Sequence, residues 1–170
     1  MMNMEKLTMK KLIATCLMAL TLIACASFAD AADSQTVIRG GDNKSMPGPD
    51  DWFTGKVRID PLFPKEDGNV NASGAYVTFE PGARSAWHEH PSGQTLVVVQ
   101  GVGRTGTADG KVWEIRAGDV VRCPANVRHW HGAAPDTGMT HIAITGYKDD
   151  KNSIWHEKVT DEEYNKPISK

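Results

Sequence analysis

From Trp52 onward the chain breaks into short β-type runs, separated by turn residues at intervals of roughly eight to twelve positions. The runs are Val57–Ile59, Ala75–Phe79, Ser85–Trp87, Leu96–Gln100, Val102–Thr107, Val112–Ile115, Val120–Cys123, Arg128–His131, Thr140–Thr145 and Ser153–His156. Pro81-Gly82, Pro91-Ser92-Gly93, Asp109-Gly110 and Ala117-Gly118-Asp119 punctuate them. Such spacing predicts an all-β sandwich or barrel, because no helical stretches stand between the strands to make parallel crossovers. Asp109-Gly110 predicts a two-residue hairpin turn with positive φ at both positions. Helical character is confined to Thr160–Lys166, where Thr160 and Glu163 form a capping box and Pro167 stops the helix.

One glycine pattern invites a different reading. Gly101-Val102-Gly103-Arg104-Thr105-Gly106 has the G-x-G-x-x-G spacing of a dinucleotide site. That site needs a helix directly after the glycines, to meet the pyrophosphate with its N-terminus. Here a hairpin follows instead, so these glycines are read as strand residues.

The first 31 residues follow another logic. Lys6, Lys10 and Lys11 precede an apolar run from Leu12 to Ala24, and small residues continue to Ala32. This is the layout of a secretory signal, with cleavage expected after Ala29-Asp30-Ala31. The run is shorter than the ~20 residues a membrane-spanning helix needs. Leu22-Ile23-Ala24-Cys25 also fits a lipobox, so lipidation at Cys25 is the alternative to release into the periplasm or medium. Residues 32–50 read as a polar arm and 51–166 as the folded domain.

Composition narrows the class further. With 24% charged and 40% hydrophobic residues in 170, the chain has a globular balance. Its net charge is −2, and removing residues 1–31 leaves 16 basic against 19 acidic side chains. No basic excess supports a broad nucleic-acid surface. The same removal takes Cys16 and Cys25 and leaves Cys123 alone, so no intrachain disulfide can form. Cys123 is read as a small buried hydrophobe. A disulfide-free barrel has edge strands to cover, which predicts a homodimer or higher homo-oligomer, with Trp52–Ile59 as the pairing segment.

Chemistry concentrates in the histidines. Four of the six stand in two His-x-His pairs, His88/His90 and His129/His131. Residues i and i+2 of a strand share a face, so each pair can aim two imidazoles into one cavity. Neutral imidazole is the commonest ligand of transition metals, and two such pairs predict a metal site. His131 and His141 are the remaining inward candidates, because His141, Ala143 and Thr145 alternate with Ile142 and Ile144. His156 lies outside these motifs and is read as a surface residue.

The wider spacing resembles the two motifs of the cupin superfamily. Gly82, five residues, His88-x-His90, three residues, Gln94, six residues and Gly101 match the first. Gly118, five residues, Pro124, Asn126, two residues and His129 match the second. The resemblance implies a single jelly-roll β-barrel with one short C-terminal helix, and His88, His90, Gln94 and His129 as metal ligands. Two departures stand out: Gln94 replaces the family's usual acidic ligand, and Asn126 replaces a usual glycine.

A closer resemblance is to small bacterial cupins that act as manganese-dependent (R)-hydroxynitrile lyases. It is carried by Asp51–Phe63, Val77–Arg84, Gly93-Gln94-Thr95-Leu96 and His129–Pro135. It implies a divalent ion, manganese first with iron, zinc or nickel as alternatives, and a small-molecule substrate. The strand face that carries His141 and Thr145 is read as lining the pocket, and by that resemblance Ala75 and Val77 stand beside the metal as substrate-pocket residues, with core packing as their alternative. His131 is the candidate general base, with a hydrogen-bonding role as its alternative. Two other functions fit the same motifs: a different metal-dependent cupin enzyme such as an oxygenase or isomerase, and a non-catalytic small-molecule or metal binder.

Overall fold

Alternation along the runs sends one set of side chains inward, and those inward sets close on each other as a curled sheet. The computed structural model describes residues 36–65 and 70–170, and all its named elements lie in the unit Ile38–Lys170. The leader read from residues 1–31 lies outside the described residues. Among the described residues the strands are β1 (Met46–Pro47), β2 (Phe53–Thr54), β3 (Val57–Phe63), β4 (Ala72–Phe79), β5 (Arg84–Ser85) and β6 (His88–Glu89). They continue as β7 (Gln94–Thr107), β8 (Val112–Arg116), β9 (Val120–Cys123), β10 (His129–Ala133), β11 (Met139–Gly146) and β12 (Ile154–Trp155). One short helix, α1 (Asp161–Tyr164), follows among the described residues.

Every strand pair is antiparallel. One layer runs β1-β3-β4-β11-β7-β9. The other joins the far half of β7 to β8 and β10, and β10 to β5 and β6, with β2 and β12 at its rim. Strand β7 therefore belongs to both layers. Leu96–Gln100 and Val102–Thr107, expected as separate strands, are this one strand bent at Gly101. Gly101 has φ +78°, and a Cβ there would come within 1.9 Å of the Gly138 carbonyl oxygen. Only glycine passes that corner.

The other glycines of the same pattern answer to space. A Cβ on Gly103 would strike Met139 Sδ at 2.2 Å, and one on Gly106 would strike Trp130 Nε1 at 2.5 Å. Strand packing, with no phosphate cradle, accounts for all three. The hairpin at Asp109-Gly110 is wider than the two-residue turn expected. Of its two central residues only Gly110 has positive φ, and its N–H donates to Thr107 O at 2.9 Å. The loop spans residues 108–110 between Thr107 and Lys111, so a single positive φ at Gly110 suffices, and the Asp109 carboxylate accepts from Thr107 Oγ1 at 2.5 Å.

Two apolar clusters hold the barrel. The larger contains Phe53, Val57, Val77, Phe79, Ala83, Val98, Ile115, Ala133 and Met139. The smaller, Trp87, Val112, Trp130, Val159 and Tyr164, pins the C-terminal segment to the barrel wall. There Thr160 caps α1 with the full capping box, and Tyr164 Oη donates to Ala133 O at 2.7 Å. Buried Arg84 ties the same segment by donating to Val159 O at 3.0 Å and Asp161 Oδ1 at 2.6 Å. Cys123 is buried, and burial pushes its thiol up to about 11, which leaves it unreactive at neutral pH.

The segment Trp52–Ile59 is used within the chain. Phe53 and Val57 enter the core, and β3 is flanked by β4 on one side and β1 on the other. Strand β1, inside the stretch read as a polar arm, caps that edge with Pro47.

Candidate metal centre

Strands β6 and β10 pair so that His88 stands directly opposite His129. Their rings lie 4.3 Å apart. His131, two positions along β10 on the same face, lies 5.0 Å from His88. His90, just past the end of β6, lies 5.0 Å from His88 and 5.3 Å from His129. Among the described residues, the metal-ligand atoms of His88, His129 and His131 lie within 4.8 Å of one another. The two His-x-His pairs thus form one buried cluster, and the trio with ligand atoms within 4.8 Å includes His131.

Backbone carbonyls set the chemistry of three of these rings. The Nδ1–H of His88 donates to Ala86 O at 3.0 Å, that of His90 to Asn152 O at 2.6 Å and that of His129 to Val127 O at 2.8 Å. A ring whose Nδ1 carries the proton has its lone pair on Nε2. Gln94, at the start of β7, uses its Nε2 to donate to Thr145 Oγ1 at 3.0 Å. Its Oε1 is buried with no hydrogen-bond partner among the described residues, as are Nε2 of His90, His129 and His131. A buried polar atom without a partner costs about 1–3 kcal/mol. Four such atoms in and beside one histidine cluster fit a bound cation, and the carbonyl bonds are the outer support metal-bound imidazoles use.

His131 is held differently. Its Nδ1 lies 3.1 Å from Nε2 of His141, with no backbone carbonyl in that place. One ring of this pair donates to the other. Phe79 meets the His131 ring edge-on at 5.8 Å. His141 stands opposite Val77, and Ala143 opposite Ala75, across the β11–β4 ladder. Ala75, Val77, His141 and Thr145 therefore lie on the inner face of one sheet, with Thr145 reaching Gln94. His156 is set apart, half-buried, with its Nε2 3.8 Å from Glu89.

Burial keeps the cluster neutral. It lowers His129 and His141 to about 4 and holds His88 and His131 well below the ordinary imidazole range, and neighbouring imidazoles push His88 and His131 the same way. His90 is lowered by burial too, against the pull of the Asn152 carbonyl. Below pH 6.5 an unfolded histidine takes up a proton that these folded ones refuse, so acid favours unfolding. Metal-free protein is expected to lose stability steadily as pH falls from 6.5 toward 4 and to be flat above it. His129 and His141 each contribute up to about 3 kcal/mol by pH 4. Urea midpoints across that window measure it, and a flat profile would show that protons reach the folded cluster freely.

Motif spacing could not show the carbonyls of Ala86, Val127 and Asn152, which come from backbone between or beyond the strands. Nor could it show Trp155, whose ring lies on His88 at 4.7 Å; cross-strand pairing of β12 with β6 brings it there.

The comparisons with known proteins agree with this architecture. A cupin-domain family model matches residues 75–145. The chain is 56% identical over 126 residues to a protein of Granulicella tundricola named (R)-mandelonitrile lyase, covering 74% of this chain and 95% of that one. It is 40% identical to a cupin-like protein of Thermotoga maritima of known crystal structure, covering 79% of this chain and 98% of that one at a TM-score of 0.68. A polyketide cyclase of Streptomyces resistomycificus shares the fold at 16% identity and a TM-score of 0.53, covering 65% of this chain and 78% of its own. With its jelly-roll barrel, its converging histidines and a relative matched over nearly its whole length, the chain belongs to the cupin family.

Proposed function

We propose that the protein is a metal-dependent hydroxynitrile lyase acting on mandelonitrile-like substrates. The observation that carries the reading is the buried set of three imidazoles and one amide, all neutral, beside a further histidine that is free at Nε2. The 56% identity to a relative named (R)-mandelonitrile lyase supports the same choice. We take His88, His90, Gln94 and His129 as the ligands. Their oxygen and carbonyl-oriented imidazole donors suit a divalent ion, manganese first. When bound, that ion supplies Lewis acidity toward oxygen or cyanide, and four neutral donors leave its charge uncompensated.

The protein's own groups do the rest. In the tautomer this role requires, His131 donates Nδ1–H to His141 Nε2 and keeps its own buried Nε2 as an acceptor. That nitrogen takes the carbinol proton as the C–C bond breaks, the bonding pair leaves with cyanide, and His131 returns the proton to give hydrogen cyanide and aldehyde. His141 keeps the His131 ring aimed throughout. We place the aryl group against Ala75 and Val77, small side chains on the same inner face as His141.

Elemental analysis of purified protein, followed by a mandelonitrile cleavage assay on that sample, tests the reading. Chelation should abolish cleavage and Mn²⁺ should restore it. Metal-loaded protein that releases no benzaldehyde would overturn it.

Two further parts belong to the same reading. Export rests on the residue pattern of Lys6–Ala32, with lipidation at Cys25 as its other form. A homodimer or larger assembly rests on the outer sheet face. There Tyr76, Ile142, Val97 and Val120 form one row in register, with Val99 and Ile144 beside it. Sedimentation at micromolar concentration should show at least a dimer; a clean monomer refutes it.

A further inference from the structure

We propose that Trp155 and Trp52 form a one-electron path between solvent and the metal position at His88, and that it returns an oxidised ion to its divalent state. The inference rests on the metal reading above and not on the lyase reaction. Strand β12 sets Trp155 opposite His88 in register, and its ring lies over the imidazole at 4.7 Å with the planes 34° apart. Trp52 stacks on Trp155 at 5.0 Å with the planes 2° apart. Along this line exposure rises from 1% at His88 to 40% at Trp52. Phe53 braces the Trp155 ring edge-on at 5.9 Å. The three rings make an unbroken π column from a proposed ligand to water.

Trp155 also packs against the larger apolar cluster, and its indole adds a redox property that an aliphatic side chain there would lack. Indole is among the side chains most readily oxidised by one electron, and a second indole stacked in parallel shares the resulting positive charge. The donor set gives such a path a task. Three imidazoles and an amide supply no negative charge to stabilise a trivalent ion, so an ion oxidised in this site is a strong oxidant. Left there, it faces its own ligands.

The electrons balance as follows. Superoxide takes one electron from the divalent ion and two protons from water and leaves as hydrogen peroxide. The trivalent ion then takes one electron from Trp155, Trp155 takes one from Trp52, and a soluble one-electron donor of the ascorbate class refills Trp52. The ion ends divalent, and the ascorbate is oxidised by one electron.

The full chain loaded with Mn²⁺ provides the test. The bound Mn²⁺ resonance is read by electron paramagnetic resonance, diminished with superoxide, and its return on adding ascorbate is timed. Trp155→Phe and Trp52→Phe should each slow the return on the order of tenfold, with unchanged Mn²⁺ affinity. Trp113→Phe, at an exposed position of β8, should match the parent. Should Trp155→Phe disturb metal binding, Trp52→Phe decides alone, since Trp52 touches no ligand. Return at the parental rate in Trp52→Phe, or a resonance that superoxide leaves undiminished, overturns the proposal. Absence of any bound Mn²⁺ signal overturns the metal reading and this path with it. A bound signal without mandelonitrile cleavage removes the lyase reaction and leaves the path standing.

Discussion

Replacing His131 by alanine should leave metal binding intact and lower mandelonitrile cleavage by about 10²–10⁴-fold, the usual contribution of a positioned general base. The expectation follows from how the ring is held. Three imidazoles of the cluster are oriented by backbone carbonyls, but His131 is oriented by His141. A ligand ring needs only an aimed lone pair, whereas a base must also carry a proton away. The His131–His141 contact lets the protonated ring keep its Nδ1–H bond while Nε2 holds the new proton. Burial lowers His131 well below its ordinary range, so the ring is free to accept at neutral pH. Elemental analysis separates the outcomes. Retained metal with activity within a few-fold of the parent would make His131 a bystander. Lost metal would assign it to the ligand set, which its place in the 4.8 Å trio also permits.

What could be read from residues alone depended on how local each signal was. The two His-x-His pairs were legible because a strand puts i and i+2 on one face, and β10 carries His129 and His131 in that way. Their meeting was not legible, since it depends on the long-range pairing of β10 with β6. Turn residues marked most strand ends but misled at Gly101, where a glycine bends a strand without ending it. Strands β1 and β2 are two residues each and carry no period to detect. The capping box at Thr160 was plain because its partners lie three residues apart. Trp52 and Trp155 lie 103 positions apart in the chain and meet only through the barrel. No spacing rule reaches such a contact.

Gln94 sets the charge of the site, and its exchange for glutamate should move metal binding and catalysis in opposite directions. In the parent the amide divides its work: Nε2 donates to Thr145 Oγ1, and Oε1 faces the cavity unpartnered. A glutamate keeps the oxygen and loses the donor, but the Thr145 hydroxyl can turn to donate instead. The substitution is therefore nearly isosteric, and the metal-loaded barrel should keep its stability. A carboxylate binds a hard divalent ion better than an amide does, so Mn²⁺ affinity should rise on the order of tenfold. The bound site then falls from a formal +2 to +1. Attraction for cyanide and for negative charge developing on the carbinol oxygen weakens accordingly, and kcat/KM should fall by about tenfold to a hundredfold. Isothermal titration with Mn²⁺ and mandelonitrile kinetics on the same Gln94→Glu preparation measure both. Tighter metal with equal or faster cleavage would sink the charge argument and take much of the case for lyase chemistry with it. Unchanged affinity would remove Gln94 from the ligands, leaving its buried Oε1 to be matched by some other donor.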